Sequence, residues 1–302
     1  MRGITLMTAA MALFAFEDAF LKLAAADLPA GEVLFITGIG GTLVFAMMTL
    51  LRGDRLFSRH LLHPAFLARN AGEMVASIAY LLGLAALPLA TVAAVLQSLP
   101  LVVTMGAALF LGEQVGWRRW LAIAVGFVGV MMIIRPGLDG FQPASLWIVL
   151  SVLGVAIRDL ATRHIPAGAS TNQISAWALF SIALLGGVMM AVTGDAVAPD
   201  TDGIWFLVGI FVFGNAGYWA ITSATRHGEI SVIAPFRYAR LLFSLILAVL
   251  IFSERPDVTT YAGATLIIGS GLYAFARERA RAKAKRRAHQ EAEMLAKTLT
   301  AG

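Results

Sequence analysis

The chain has 302 residues, of which 59% are hydrophobic and only 14% are charged, and its formal net charge is +5. Its mean hydropathy of +0.80 is far above that of a water-soluble domain. The absence of cysteine excludes disulfides, thiolate metal sites and cysteine nucleophiles. The apolar residues come in blocks of about 17–25, the length that crosses a hydrocarbon core. Composition therefore predicts an all-α polytopic membrane protein.

Ten apolar blocks follow one another, separated by short stretches of turn-forming and charged residues. The first block resembles a signal peptide, but Glu17 and Asp18 interrupt it and many more spans follow, so we expect an uncleaved first helix. The third and fourth blocks are so close that they predict a helical hairpin. The predicted spans are 4–23, 30–51, 66–86, 89–111, 118–135, 144–163, 172–193, 203–223, 230–252 and 258–276.

The third predicted span carries a polar stripe, because Arg69, Glu73, Ser77 and Tyr80 recur at helical spacing. Arg69 is near the end of the span, so we expect it to be an anchor at the membrane interface. Glu73 lies deeper, where it is either the counter-ion of an arginine in the ninth span or a proton acceptor. We favour the counter-ion.

Polar residues inside three other spans are further candidates for binding a solute. They either line a site for a planar, hydrogen-bonding molecule or form interhelical hydrogen bonds and aromatic anchors, and the sequence leaves both alternatives open. Pro100, one turn after Gln97 in the fourth span, predicts a helix kink that is useful for gating. The candidates are Gln97 in the fourth span, Arg158 in the sixth, and Asn215, Tyr218 and Trp219 in the eighth, whereas Asp159, like Glu17 and Asp18, is a candidate for coupling or for a counter-ion.

The ninth predicted span, IAPFRYARLLFSLILAVLIF at 233–252, contains Arg237 and Arg240 well inside its apolar run. The two arginines are three residues apart, so they project from one face of the helix. An arginine at the bilayer centre costs about 2.5–3.5 kcal/mol on insertion scales, so we expect both to face the interior of the bundle. They either contact a substrate or pair with internal acids, for which the candidates are Glu17, Asp18, Glu73 and Asp159.

Basic residues are concentrated on one predicted side of the membrane. The run RERARAKAKRR at 277–287 supplies seven of the 23 basic residues, and a basic run after a final span fixes orientation and contacts anionic lipid. This placement indicates membrane lipids as a partner and argues against nucleic acid. The loops on the same side as this tail are also the more basic ones. We therefore predict a multi-pass protein of a bacterial-type cytoplasmic (inner) membrane with both termini in the cytoplasm.

The two halves of the chain contain similar segments. LFLGEQVGWRRWLAIAVGFVGVMMI (109–133) resembles LIFSERPDVTTYAGATLIIGSGLYA (250–274), and Glu113 and Glu254 are 141 residues apart. Each half then holds five spans, and because five is odd the second half must enter the membrane from the other side. We predict two inverted five-helix repeats, 1–140 and 141–276, followed by a basic cytoplasmic tail at 277–302.

These segments resemble the EamA branch of the drug/metabolite transporter superfamily. The shared features are the Pro-bearing fourth span ATVAAVLQSLPLVVTMGAALFLGE (90–113), the Gly-rich AVGFVGVMMIIRPG (124–137), and FSE at 252–254. The resemblance covers nearly all of the chain before residue 277 and implies a carrier of a small solute. Members of the superfamily export amino acids and drugs or import vitamins and nucleoside-like metabolites. Arg237 and Arg240 depart from the family pattern and favour a solute with acidic or carbonyl groups over an apolar or cationic drug.

We therefore predict a secondary transporter that works by alternating access. Its expected cargo is a riboflavin-like, nucleoside-like or amino-acid metabolite. The alternative is an integral membrane enzyme such as a lipid or acyl transferase, but the short loops contain no set of nucleophile, base and acid. The sequence also contains no nucleotide-binding P-loop and no set of metal-ligating histidines, so we expect no cofactor, no metal and no catalytic residue. The sequence leaves open whether the protein forms a homodimer.

Overall fold

In the computed structural model, the described residues are 2–138, 140–166, 168–227 and 230–301, with side chains described in 2–138, 140–166, 168–224, 232–277 and 279–280. Within these ranges the protein is helical and has no strand. The helices are α1 (Arg2–Asp27), α2 (Ala30–Leu51), α3 (Pro64–Ala86), α4a (Leu89–Leu96), α4b (Leu99–Phe110), α5 (Trp117–Ile134), α6 (Ser145–Thr162), α7 (Thr171–Thr193), α8 (Thr201–His227), α9a (Ile230–Ile233), α9b (Ala239–Leu250) and α10 (Val258–Ala301).

Each of the ten predicted spans corresponds to one helix or one broken helix, so the predicted multi-pass helical architecture is confirmed. Among the described residues, eight helical segments are long and apolar enough to cross a membrane by length and composition. The third and ninth spans are not among them. Polar residues such as Arg69 and Glu73 lower the apolar character of α3, and the ninth span is divided into short pieces.

The fourth and ninth spans are both interrupted near the middle. Between α4a and α4b the break lies at Gln97 and Ser98, one turn before the position where Pro100 predicted a kink. In the ninth span, the 3₁₀ segment Ala234–Tyr238 separates α9a from α9b. Pro100 lies in the first turn of α4b and Pro235 in the first turn of the 3₁₀ segment, where the missing N–H of proline needs no partner.

The most extensive packing joins helices that are far apart in the sequence: α1 with α8, α2 with α7, α3 with α6, and α5 with α10. Glycines set the close approach in several of these pairs. A Cβ at Gly72 of α3 would lie 2.7 Å from the carbonyl oxygen of Gly154 in α6, and one at Gly129 of α5 would lie 2.7 Å from that of Gly263 in α10. Small residues of this kind allow membrane helices to pack backbone to backbone.

The exterior of the bundle is apolar, as expected for a surface that faces lipid. Large side chains such as Leu50, Val192 and Leu250 are 63%, 80% and 74% exposed. In contrast, Asp18, Glu32 and Asn70 are buried. This inverted distribution of polarity supports a membrane protein whose charged side chains are inside.

Loop contacts are consistent with helices that alternate in direction. On the side where α1 begins, here called the terminal side, Arg163 after α6 pairs with Glu113 after α4b at 2.7 Å. On the opposite side, Arg135 after α5 pairs with Asp257 before α10. Glu254 after α9b also accepts a hydrogen bond from the backbone N–H of Leu89, which begins α4a, at 2.6 Å.

Candidate functional site

A cavity of about 760 Å³ lies between helices of both halves of the chain. It is lined by α1, α2, α3, α6, α7 and α8, and most of its wall is apolar. Pockets of about 300–1,000 Å³ with a few polar groups on an apolar wall are typical of sites for small organic ligands. The polar and aromatic side chains of the wall include Phe14, Glu17, Thr37, Phe45, Arg69, Glu73, Ser77, Tyr80, Arg158, Ser175, Phe211, Asn215 and Tyr218.

A chain of ion pairs occupies one region of the cavity wall. Glu73 forms ion pairs with Arg69 of its own helix at 3.3 Å and with Arg158 of α6 at 3.2 Å. Arg158 also pairs with Asp159 at 2.8 Å. Arg69, which the sequence predicts to be an anchor at the membrane interface, lines the cavity beside Glu73. Glu73 is therefore a counter-ion, but of arginines in α3 and α6 and not of an arginine in the ninth span.

Arg240 is held by a second buried cluster that joins α1, α3 and α9b. Its Nε and Nη2 donate to the two carboxylate oxygens of Asp18 at 3.0 and 2.6 Å. The hydroxyl of Tyr80 donates to the same carboxylate at 2.5 Å, and the ring of Phe14 lies 5.5 Å from the guanidinium carbon. Arg240 is therefore paired internally, while Tyr80 connects this cluster to the cavity wall.

Glu17 differs from its neighbour Asp18 in having no partner. It lines the cavity, and among the described residues nothing forms a hydrogen bond or an ion pair with its carboxylate. A Cβ at Gly214 of α8 would lie 2.6 Å from Oε1 of Glu17, so the carboxylate occupies space that only a glycine leaves open. Adjacent helical residues point about 100° apart, and this explains why Asp18 turns toward α9b while Glu17 faces α8.

Glu17 is one of three side chains of α1 that pack against glycines of α8. Side chains of α1 at positions 14, 17 and 20 each fill the space beside a glycine of α8, at 217, 214 and 209. The rings of Phe16 and Phe20 also stack on Phe213, with centroids 5.1 and 5.4 Å apart. The helix pair is therefore closely fitted along the side of the cavity that holds Glu17.

The remaining candidates are distributed around the cavity and outside it. Asn215 and Tyr218 line the cavity, but Trp219 does not and is 66% exposed. Gln97 donates to the backbone oxygen of Tyr238 at 3.4 Å, which joins the two broken helices. Arg237 is exposed and does not line the cavity, and no carboxylate of the part of the chain described here lies within 4.0 Å of it.

Sequence reasoning missed a tie on the opposite side of the bundle. Lys22 of α1 donates to the backbone oxygens of Leu84, at 3.1 Å, and of Leu87, and it lies 4.0 Å from Glu254. Glu254 in turn accepts the first backbone N–H groups of α4a, which satisfies a helix N-terminus. A lysine near the end of the apolar first span is the signal that could have found this contact.

Aromatic side chains of the cavity were also missed. Phe14 lies one turn before Glu17 on α1, and Phe45 of α2 contacts Tyr218 edge to face with ring centroids 4.9 Å apart. Helical spacing from Glu17 and Tyr218 would have found Phe14 and Phe211. Phe45 lies three residues after Thr42 and four before Thr49, so these threonines are the signal in its span that could have found it.

The model of the EamA-like transporter family matches residues 1–135 and 142–275. The chain belongs to this family. The two matched segments fall on the two halves predicted from the sequence, and together they include all of the helices that form the cavity.

Several relatives of this EamA-like transporter carry names that state a cargo. A Rickettsia felis S-adenosylmethionine uptake transporter is 30% identical over 69% of each chain. A Rhizobium johnstonii riboflavin transporter is 31% identical over 65% of this chain and 64% of the relative. The Pseudomonas aeruginosa pseudopaline exporter CntI is 29% identical over 88% of this chain and 93% of the relative.

One solved crystal structure has the same fold, with a TM-score of 0.60 over 92% of this chain and 97% of that chain, at 19% identity. The family and its named relatives establish a drug/metabolite-type transporter of small solutes rather than an enzyme. The expected lipid or acyl transferase alternative is therefore set aside. Among the described residues, no group of three or more His, Asp or Glu side chains is placed to hold a metal ion.

Proposed function

We propose that the protein is a secondary transporter that moves a small metabolite across the cytoplasmic membrane by alternating access. The cavity between helices of both halves carries this proposal, because a site shared by two halves is exposed to either side when one half rocks against the other. Its ion pairs and aromatic rings supply the specific contacts. The expected cargo is a polar-aromatic or carboxylate- and carbonyl-bearing compound.

The proposal includes two inverted five-helix repeats, and local geometry supports it. Gly112 and Ser253, which are 141 positions apart, both have positive φ, at 66° and 52°. The turns around them are closed by equivalent hydrogen bonds, from the N–H of Glu113 to Ala107 at 3.2 Å and from that of Glu254 to Ala248 at 2.9 Å. A serine with positive φ is uncommon, so this agreement is not an effect of composition.

The breaks in the fourth and ninth spans follow the same relation. Gln97 and Tyr238 are also 141 positions apart, and they contact each other directly. In two equivalent halves, α6 takes the place of α1 and α8 takes the place of α3. The packing of α1 on α8 is then equivalent to that of α6 on α3, and both pairs pack extensively. Broken helices at a repeat interface are a frequent feature of transporters, because a break allows half of a span to move.

We assign cargo contacts to the candidates that line the cavity, which are Glu73, Tyr80, Arg158, Asn215 and Tyr218. Asp18 and Arg240 position Tyr80, and Gln97 links the two breaks. Asp159 is held by Arg158 at the end of the ion-paired region, and Arg237 lies outside the cavity wall. Riboflavin and S-adenosylmethionine, the cargoes named for relatives, guide the choice of solutes to test.

The experiment is uptake into proteoliposomes of labelled riboflavin, S-adenosylmethionine and amino acids by the full-length protein. Arg158→Ala removes one guanidinium from the cavity, and Arg163→Ala removes an exposed one that pairs with Glu113 on the terminal side. A lost charge-assisted contact costs about 1.5–3 kcal/mol. Arg158→Ala is therefore expected to raise the half-saturating concentration of the solute about 10- to 100-fold. Arg163→Ala is expected to behave like wild type.

Two results contradict the proposal. If the wild-type protein moves none of these solutes faster than empty liposomes, the assigned cargo range is wrong. If Arg158→Ala is folded and transports with unchanged kinetics, the cavity is not the site of transport.

A further inference from the structure

Among the described residues of the cavity wall, one acidic side chain has no hydrogen bond or ion pair with the protein. Arg69 and Arg158 share Glu73, and Arg158 also holds Asp159. Asp18 is neutralised by Arg240. Glu17 lines the same cavity with no hydrogen bond or ion pair among the described residues. Of the two arginines that suggested an acidic cargo, Arg240 is held by Asp18 and Arg237 lies outside the cavity wall. Among the described residues of the wall, the acidic side chain without a partner is therefore that of Glu17.

The surroundings of Glu17 suit a cation. Phe14, one turn away on α1, and Phe211 and Tyr218 of α8 line the same cavity. Gly214 leaves the carboxylate room beside α8, and a Cβ there would lie within 2.6 Å of it. Aromatic faces attract cationic groups, and a carboxylate inside a low-dielectric wall is left without compensation unless a positive charge approaches it. Among the described residues, no arginine or lysine forms an ion pair with Glu17.

We propose that Glu17 receives a positively charged centre of the cargo, an ammonium or a sulfonium attached to a planar or apolar body. This inference rests on the proposed transport function and names the class of solute more narrowly. It replaces the expectation of a purely acidic cargo, which was based on Arg237 and Arg240. The ion pairs around Glu73 and Arg158 then contact the polar remainder of the solute.

The test is ligand binding by the purified full-length protein, measured through the thermal unfolding midpoint from the fluorescence of its six tryptophans. The probes are two pairs that differ in charge: S-adenosylmethionine with S-adenosylhomocysteine, and choline with 3,3-dimethylbutan-1-ol. At least one cation is expected to raise the midpoint more than its neutral counterpart. Glu17→Gln is expected to weaken binding of that cation about 10- to 100-fold and leave the neutral compound within about twofold.

Two further variants keep the result interpretable if Glu17→Gln is unstable. Gly214→Ala retains the carboxylate but displaces it, so the preference for the cation is expected to fall. Glu113→Gln removes an exposed carboxylate outside the cavity, and the preference is expected to persist.

Binding without preference for charge, the absence of a shift with either cation, or a preference that survives in Glu17→Gln overturns the assignment of Glu17. Transport of riboflavin or amino acids by the wild-type protein alongside any of these results leaves the transport proposal standing. Conversely, charge-selective binding by a protein that transports nothing contradicts the transport proposal alone.

Discussion

Arg240 is tolerated inside the bundle because protein groups replace the water that its guanidinium loses. Asp18 accepts two hydrogen bonds from it in a paired geometry, and Phe14 covers one face. Asp18 is only 2% exposed, so its charge depends on Arg240 and on the hydroxyl of Tyr80. At this scale the second of the two alternatives raised by the sequence, internal pairing, describes the contacts of Arg240.

This pairing predicts strong coupling between Asp18 and Arg240. Removing one partner of a buried ion pair costs about 3–5 kcal/mol, because the other charge is left without compensation. Asp18→Asn and Arg240→Gln are each expected to lower the free energy of unfolding by about that amount, whereas the double variant loses far less than the sum. Unfolding in mixed micelles with increasing SDS measures the free energy of unfolding of the wild type, the two single variants and the double variant. Additive losses would show that the two side chains act independently.

Glycine positions decide how closely the elements pack. The crossing of α5 and α10 is reciprocal, since a Cβ at Gly129 would lie 2.7 Å from the oxygen of Gly263 and one at Gly263 would lie 2.6 Å from that of Gly129. A contact this short with backbone cannot be relieved by a rotamer change, so the helices would have to separate. Elsewhere on α10, a Cβ at Gly269 would meet nothing within 4 Å.

These two glycines of the same helix therefore form a matched pair for mutation. Gly263→Ala is expected to destabilise the protein by about 1–3 kcal/mol, the usual cost of overpacking. Gly269→Ala is expected to be neutral or to stabilise by up to about 1 kcal/mol, because alanine is the better helix former. Thermal unfolding of the purified variants separates the two. Equal effects of both changes would contradict the close crossing of α5 and α10.

The whole molecule has two sides that differ in how they are held. On the opposite side, Lys22, Glu254 and the start of α4a form a tie between the two halves. On the terminal side, the pair of Arg163 with Glu113 is 48% and 45% exposed, so water screens it more than the buried ties. The orientation of these sides in the membrane follows from the basic tail and loops, which predict a cytoplasmic terminal side.

Single cysteines test this orientation without background labelling, since the chain contains none. Phe57 and Val197 are 69% and 53% exposed, and they lie in loops on the terminal and opposite sides respectively. In intact cells, Val197→Cys is expected to react with a membrane-impermeant maleimide, whereas Phe57→Cys is expected to react only after the membrane is permeabilised. The reverse pattern would place the termini outside.

The sequence by itself determined the ten apolar segments that form the helices, the break near Pro100 and the list of charged residues within those segments. These are local properties, because hydrophobic length and turn-forming residues act over one span at a time. It also placed Glu73, Tyr80, Arg158, Asn215 and Tyr218 on helices that turn out to share one cavity. The family resemblance was confirmed on the same segments.

Only the tertiary structure decided which charges meet. Arg240 and Asp18 are 222 positions apart, and Arg158 and Glu73 are 85 apart, so no spacing rule connects them. Which of two adjacent acids turns toward an arginine depends on the rotation of α1 against α8, and that rotation is set by the glycines of α8. Asp18 was therefore neutralised and Glu17 left open by helix packing between the halves, a contact that does not exist until both halves are folded.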